Sequence, residues 1–174
     1  MNRNISEQVE IARKAIELFV CSGVRLDPAD APALPDERNE KAGTFVSLKK
    51  RGELRGCVGT SLPAQKNLTE EIICNAISSA TKDPRFAPVL SHELRELDIT
   101  VDVLGPPEPV SSKLELDPQK YGVIVSFNNR RGLLLPNLEG VNSVDDQIKI
   151  CKRKGGIVSD ADVTIERFVV TRFR

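Results

Sequence analysis

Residues 44–60 read TFVSLKKRGELRGCVGT. Two apolar-alternating runs flank the polar stretch Lys49-Lys50-Arg51-Gly52, the pattern of a strand, a tight turn and a returning strand. The returning strand carries Gly52, Gly56 and Gly59, although glycine gives a sheet no side chain to pack and loses the most backbone entropy on ordering. Extended, it places Leu54, Gly56 and Val58 on one face and Arg55, Cys57 and Gly59 on the other. The first face suits a core. The second carries a guanidinium two residues from a thiol, beside bare backbone. It reads equally as the floor of a cleft and as a bulged strand holding a small packed cysteine.

The same punctuation recurs on both sides of this hairpin. Ile5, Val9, Ala12, Ile16, Phe19 and Val20 form a helical stripe that ends at Gly23. Asn67-Leu68-Thr69-Glu70 resembles a capping box and opens a helix to about Thr81, with Leu68, Ile72, Ile73, Ala76, Ile77 and Ala80 as its apolar face. Pro84 and Pro88 forbid its continuation. Ser91 caps a short helix through Leu97, DITVDVLG alternates as a strand, and GPPEPV is a stiff linker. YGVIVSFNNRRGLLLP is a second hairpin turning at Asn128-Asn129. A helix opens at Ser143–Asp146 and ends at Gly155-Gly156, and VTIERFVVTRF closes the chain as one long strand. Hairpins joined by helices, with no βαβ rhythm, predict an α+β fold with mostly antiparallel sheets and packed helices.

Composition narrows the function classes. With 174 residues the chain fits one domain and buries a core without staples. Lys+Arg and Asp+Glu are 25 each, which argues against gripping a nucleic-acid backbone or an anionic membrane. Six Phe, one Tyr and no Trp leave few stacking platforms for single strands. Cys21, Cys57, Cys74 and Cys151 form no CxxC pair and the single histidine is His92, so no zinc site and no other metal or cofactor is expected. With no signal pattern and no apolar run of membrane-spanning length, the expectation is a cytoplasmic protein with free thiols.

The stretches GELRGCVGT, ATKDPRFAPV, ELRELDITVDVLGPPEPV and RRGLLLPNLEG, in this order and spacing, are similar to the AMMECR-domain family, and with ARKAIE the resemblance covers nearly the whole chain. It implies one domain over residues 1–174, two lobes flanking a cleft, and no assigned reaction. It also implies a place beside a Memo-type dioxygenase-like protein and a radical-SAM protein. The sequence departs from the family locally: LLLPNLEGVNSVDDQ stands where many members read LLLPQV.

Cys57 is the candidate for chemistry, since a thiol nucleophile works as thiolate and a nearby guanidinium such as Arg55 favours that form. Gly56 and Gly59 would let a ligand approach the backbone, with Thr60 at the strand end. Asp83-Pro84-Arg85-Phe86 is a compact polar loop. Arg85 presents a fork to an anion, or it pairs with a neighbouring acid; Phe86 is assigned to the core. Arg131, at the second hairpin, completes the ligand-binding set. Two functions remain open: a cleft for a small anionic ligand, accessory or catalytic, and a non-catalytic module that binds a Memo-type protein.

Overall fold

The computed structural model describes residues 5–36, 39–158 and 162–174. The opening hairpin forms from β1 (Thr44–Lys50) and β2 (Glu53–Thr60), joined through Arg51 and Gly52, both at positive φ. Such a two-residue turn matches the right-handed twist of the strands it joins. Pairs Leu48↔Gly56 and Lys49↔Leu54 leave Arg55 as an extra residue, a β-bulge. The bulge overturns one expectation from alternation. Leu54, expected on the core face with Gly56 and Val58, turns to the Cys57 face and is 41% exposed. Val58 stays opposite Val46 on the core side and is half-buried.

The chain forms two units, residues 1–103 with 172–174, and residues 104–171. In the first, β3 (Leu97–Leu104) pairs antiparallel with β1, and β8 (Val170–Phe173) completes the strand order β2-β1-β3-β8. Helix α1 (Glu7–Ser22) ends on left-handed Gly23 and packs against α2 (Leu68–Thr81), which lies on β1 and β2. Ile11, Ile16, Leu48, Ile72, Ile73 and Val101 are fully enclosed between them. Asn67 caps α2 by accepting from Glu70 N at 2.9 Å, as its sequence predicts. Ile5 falls outside α1 and is exposed.

In the second unit β4 (Glu108–Pro109), β5 (Gly122–Phe127), β6 (Arg130–Leu134) and β7 (Thr164–Phe168) form an antiparallel sheet in the order β4-β7-β5-β6. Helix α3 (Val144–Lys154) packs on β5 and β6, enclosing Val123, Val125, Leu134, Ile148 and Cys151. The closing strand expected over 163–173 is two strands instead. It breaks at Val169 because β7 belongs to the second sheet and β8 to the first. Among the described residues no helix is long and apolar enough to cross a membrane.

Candidate functional site

Helix α2 meets β2 through polar side chains, a feature the apolar pattern hides. Glu71, Asn75 and Ser79 recur every four residues along one helix face, and all three are buried. Glu71 accepts from Thr60 Oγ1 at 2.6 Å and from the amides of Ala64 and Gln65 at 2.7 Å. Asn75 Nδ2 donates to Thr44 Oγ1 at 2.7 Å and Thr60 Oγ1 at 3.1 Å. Ser79 Oγ donates to Val46 O at 2.8 Å and accepts from Val58 N at 2.9 Å, so a hydroxyl bridges the two strands. Gly56 allows this approach, because a Cβ there would collide with the Ser79 carbonyl.

Asp83 continues the four-residue interval beyond the helix. Its carboxylate accepts from Cys57 N at 2.8 Å and takes a two-pronged bond from Arg85, Nε at 2.9 Å and Nη2 at 2.7 Å. Arg85 Nη2 also donates to Cys57 O at 3.3 Å. β2 is an outer strand, so two side chains close its edge at Cys57 where a further strand would pair. The Arg85 guanidinium, with the amides of Cys57 and Arg85, holds the Asp83 carboxyl well below the usual carboxylate range. Phe86, expected in the core, is half-buried with the Arg85 guanidinium over its ring at 5.4 Å.

Arg55 projects from the bulge to Glu93. Nε and Nη2 meet the two carboxylate oxygens at 3.1 and 2.9 Å, and Nη1 donates to Ala87 O at 2.8 Å. Lys50 Nζ adds a contact to Glu93 at 3.0 Å. Arg55 chiefly, then the Leu90 amide and Lys50, pull the buried Glu93 carboxyl down to about 2. The fork read from sequence as a neighbour for the thiol therefore ties β2 to the loop that follows α2.

The thiol itself lies on the sheet face that α2 does not cover. Register places Cys57 opposite Ser47, and Ser47 opposite Thr100, in one row across β2, β1 and β3. Cys57 Sγ is 3.3 Å from Ser47 Oγ, and all three residues are half-buried. In the next row Gly59 faces Phe45, whose ring takes the space a Cβ would fill, and Phe45 faces Asp102. Arg172 binds the buried Asp102 carboxylate with Nε at 2.7 Å and Nη2 at 2.8 Å. Asp102, with a smaller contribution from Cys57, raises the Arg172 guanidinium further, as Asp83 and Cys57 do for Arg85. His92 is exposed. Among the described residues no group of three or more His, Cys, Asp or Glu is placed to hold a metal ion.

Arg55, Gly56, Cys57, Gly59, Thr60, Asp83 and Arg85 thus come together around β2, and Arg131 belongs to the second unit, paired with Glu166 at 3.2 Å. Sequence reasoning missed Ser47, Thr100, Asp102 and Arg172. Alternation puts each hydroxyl on a strand face, but only the pairing register aligns them with Cys57.

The family model described as AMMECR1 matches residues 9–173. This chain belongs to the AMMECR1 family. A protein of Thermotoga maritima is 50% identical, over 95% of this chain and 96% of its own length. Protein CA_C1420 of Clostridium acetobutylicum is 47% identical over 95% of this chain, which spans only 35% of that relative. Among solved structures, the crystal structure of the uncharacterized protein PH0010 from Pyrococcus horikoshii superposes with a TM-score of 0.84. It is 31% identical, over 95% of this chain and 88% of that one.

Proposed function

We propose that the first unit binds a small anionic ligand on the sheet face that α2 does not cover, across the row Cys57–Ser47–Thr100, with Arg85 and Arg172 supplying charge. One observation carries this reading. A thiol and two hydroxyls stand in register on a sheet face, with the Arg85 guanidinium on the Cys57 carbonyl at one edge and the Arg172 guanidinium on Asp102 in the neighbouring row. Guanidinium is the side chain best shaped for carboxylate or phosphate. All three arginines are forked onto a carboxylate, but Arg55 is only 17% exposed beside Glu93 and serves as a support, whereas Arg85 and Arg172 keep 54% and 36% of their side chains in solvent beside Asp83 and Asp102. Because no histidine faces the thiol, binding is the primary role, and a thiol reaction at Cys57 would draw its base from the ligand. A setting beside a Memo-type protein and a radical-SAM protein rests on the resemblance alone.

Paired alkylators test this within one molecule. Iodoacetate is anionic and iodoacetamide neutral, and exposed Cys21 is the internal control. The iodoacetate-to-iodoacetamide rate ratio, read per cysteine by mass spectrometry, is expected to be several-fold higher at Cys57 than at Cys21. It should fall toward the Cys21 value in Arg85→Gln and Arg172→Gln, and stay near that of the unmodified chain in Arg172→Lys, which keeps the charge. Equal ratios at the two thiols, or a Cys57 that neither reagent reaches, would sink the anion site.

A further inference from the structure

Among the described residues the second sheet ends in an unpaired strand, β6, whose edge is chemically marked. β6 is its outer strand, and Arg130–Leu134 pair with β5 on one side only. Among the described residues no backbone or side-chain group bonds the other side of β6, whereas Asp83 and Arg85 close the corresponding edge of β2 at Cys57. Cations flank this edge on both faces. Arg130 lies opposite Phe127 on the side of α3, and its Nη1 donates to the Gly156 carbonyl just past that helix. Arg153 and Lys154, in the last turn of α3, are exposed. Gly155 brings that turn against the strand, since a Cβ there would lie 2.8 Å from Gly132 N and 2.9 Å from the Arg131 carbonyl carbon. On the opposite face Arg131 stands over Ser126 and pairs with Glu166.

We propose that β6 accepts an added strand from a protein partner, an extended segment rich in Asp and Glu. Main-chain bonds to the free edge would supply affinity, and alternate carboxylates would meet Arg130, Arg153 and Lys154 on one face and Arg131 on the other. The same charges disfavour two alternatives. A second copy would bring Arg130 and Arg131 to its own arginines, the repulsion by which exposed edges avoid self-pairing. A nucleic-acid backbone gains nothing from a strand edge, and its continuous charge would meet Glu166 as well as the cations.

The test uses the full chain and a fluorescein-labelled eight-residue peptide alternating Glu and Val, read by anisotropy at moderate salt. Binding is expected, weakening with salt and falling about tenfold in Arg130→Glu or Lys154→Glu, both at exposed positions whose fold is checked by melting. Two further peptides carry N-methyl groups on odd or on even residues. A strand bonds an edge through alternate residues only, so one methylated peptide should fail and the other bind. Equal binding of both methylated forms overturns strand addition. So does absence of binding at 100 µM peptide (roughly 5 kcal/mol of affinity), tighter binding of a DNA duplex, or a dimer in sedimentation that Arg130→Glu dissolves.

Discussion

The two units solve one packing problem with the same parts and finish it differently. Each lays a helix on a hairpin, and each places a glycine where the helix main chain touches the returning strand: Gly56 under the Ser79 carbonyl, Gly132 under that of Cys151. Each also sets a glycine across from a phenylalanine ring, Gly59 with Phe45 and Gly122 with Phe168. The seams differ. Helix α2 meets its strands through Glu71, Asn75 and Ser79, whereas α3 meets its own through Ile148 and Cys151, a thiol that burial pushes up to about 12. The outer strands differ as well: Asp83 and Arg85 close β2 at Cys57, whereas among the described residues nothing bonds the outer side of β6. The glycines in both units therefore serve main-chain contact. The charged residues in the first close the edge of β2 at Cys57.

The largest expected effect breaks the shared part. Gly56→Val and Gly132→Val should each cost about 3 kcal/mol in urea unfolding, because the helix backbone has no flexible side chain to give way. Gly52→Ala, at a turn glycine with φ 85 and open space around it, should cost only about 1 kcal/mol. Equal costs at all three positions would mean that conformational freedom, and not contact, selects the glycines.

A smaller effect sharpens the difference at the edges. Asp83→Ala strands the Cys57 amide and one arginine and should cost about 2 kcal/mol, the figure kept low because Arg85 is half in water. Arg85→Gln should cost less than half of that. Amide exchange at Cys57 should quicken in Asp83→Ala, and unchanged exchange there would refute the clamp.

The last effect is electrostatic and is read as a slope against pH. Glu93 has its folded carboxyl lowered from 4.5 to about 2, so its stabilisation is complete above about pH 5 and is lost as pH falls from there toward 2. Asp83, lowered still further, loses its share at more acid pH. Glu93→Gln should flatten the acid limb of the stability curve between about pH 5 and 2 and leave its slope from pH 7 to 5 unchanged. A limb that keeps its slope in the variant would assign it to other groups.

Much of this was legible in residues whose signals are local. Asn67, Gly23, Ser143 and the two hairpin turns mark element ends through capping and φ preference, and the structure places the ends there. What failed was non-local. Nothing near Arg55 announces the bulge, which depends on how β1 and β2 pair, so Leu54 was given the wrong face. VTIERFVVTRF alternates well enough to be one strand, and its division at Val169 follows from two sheets competing for it. The polar seam of α2 had a readable signal in Glu71, Asn75, Ser79 and Asp83 at intervals of four. Each is an ordinary surface residue singly, and only the interval marks a buried stripe. The alignment of Ser47 and Thr100 with Cys57 had no such signal, since register across three strands is set by tertiary packing.

The split of the last strand bears on how the protein is made. The first sheet begins with Thr44, yet its outermost strand is Val170–Phe173, and the buried Asp102 waits for Arg172, 70 residues further on. In chain order residues 104–171 fall between the two parts of the first unit, so the ribosome makes them before it makes residues 172–174. A nascent chain stalled short of Arg172 holds a sheet with one edge unfinished and a buried carboxylate without its cation. Contacts of such long sequence separation are slow to form, so the Arg172–Asp102 pair is expected to close late in folding.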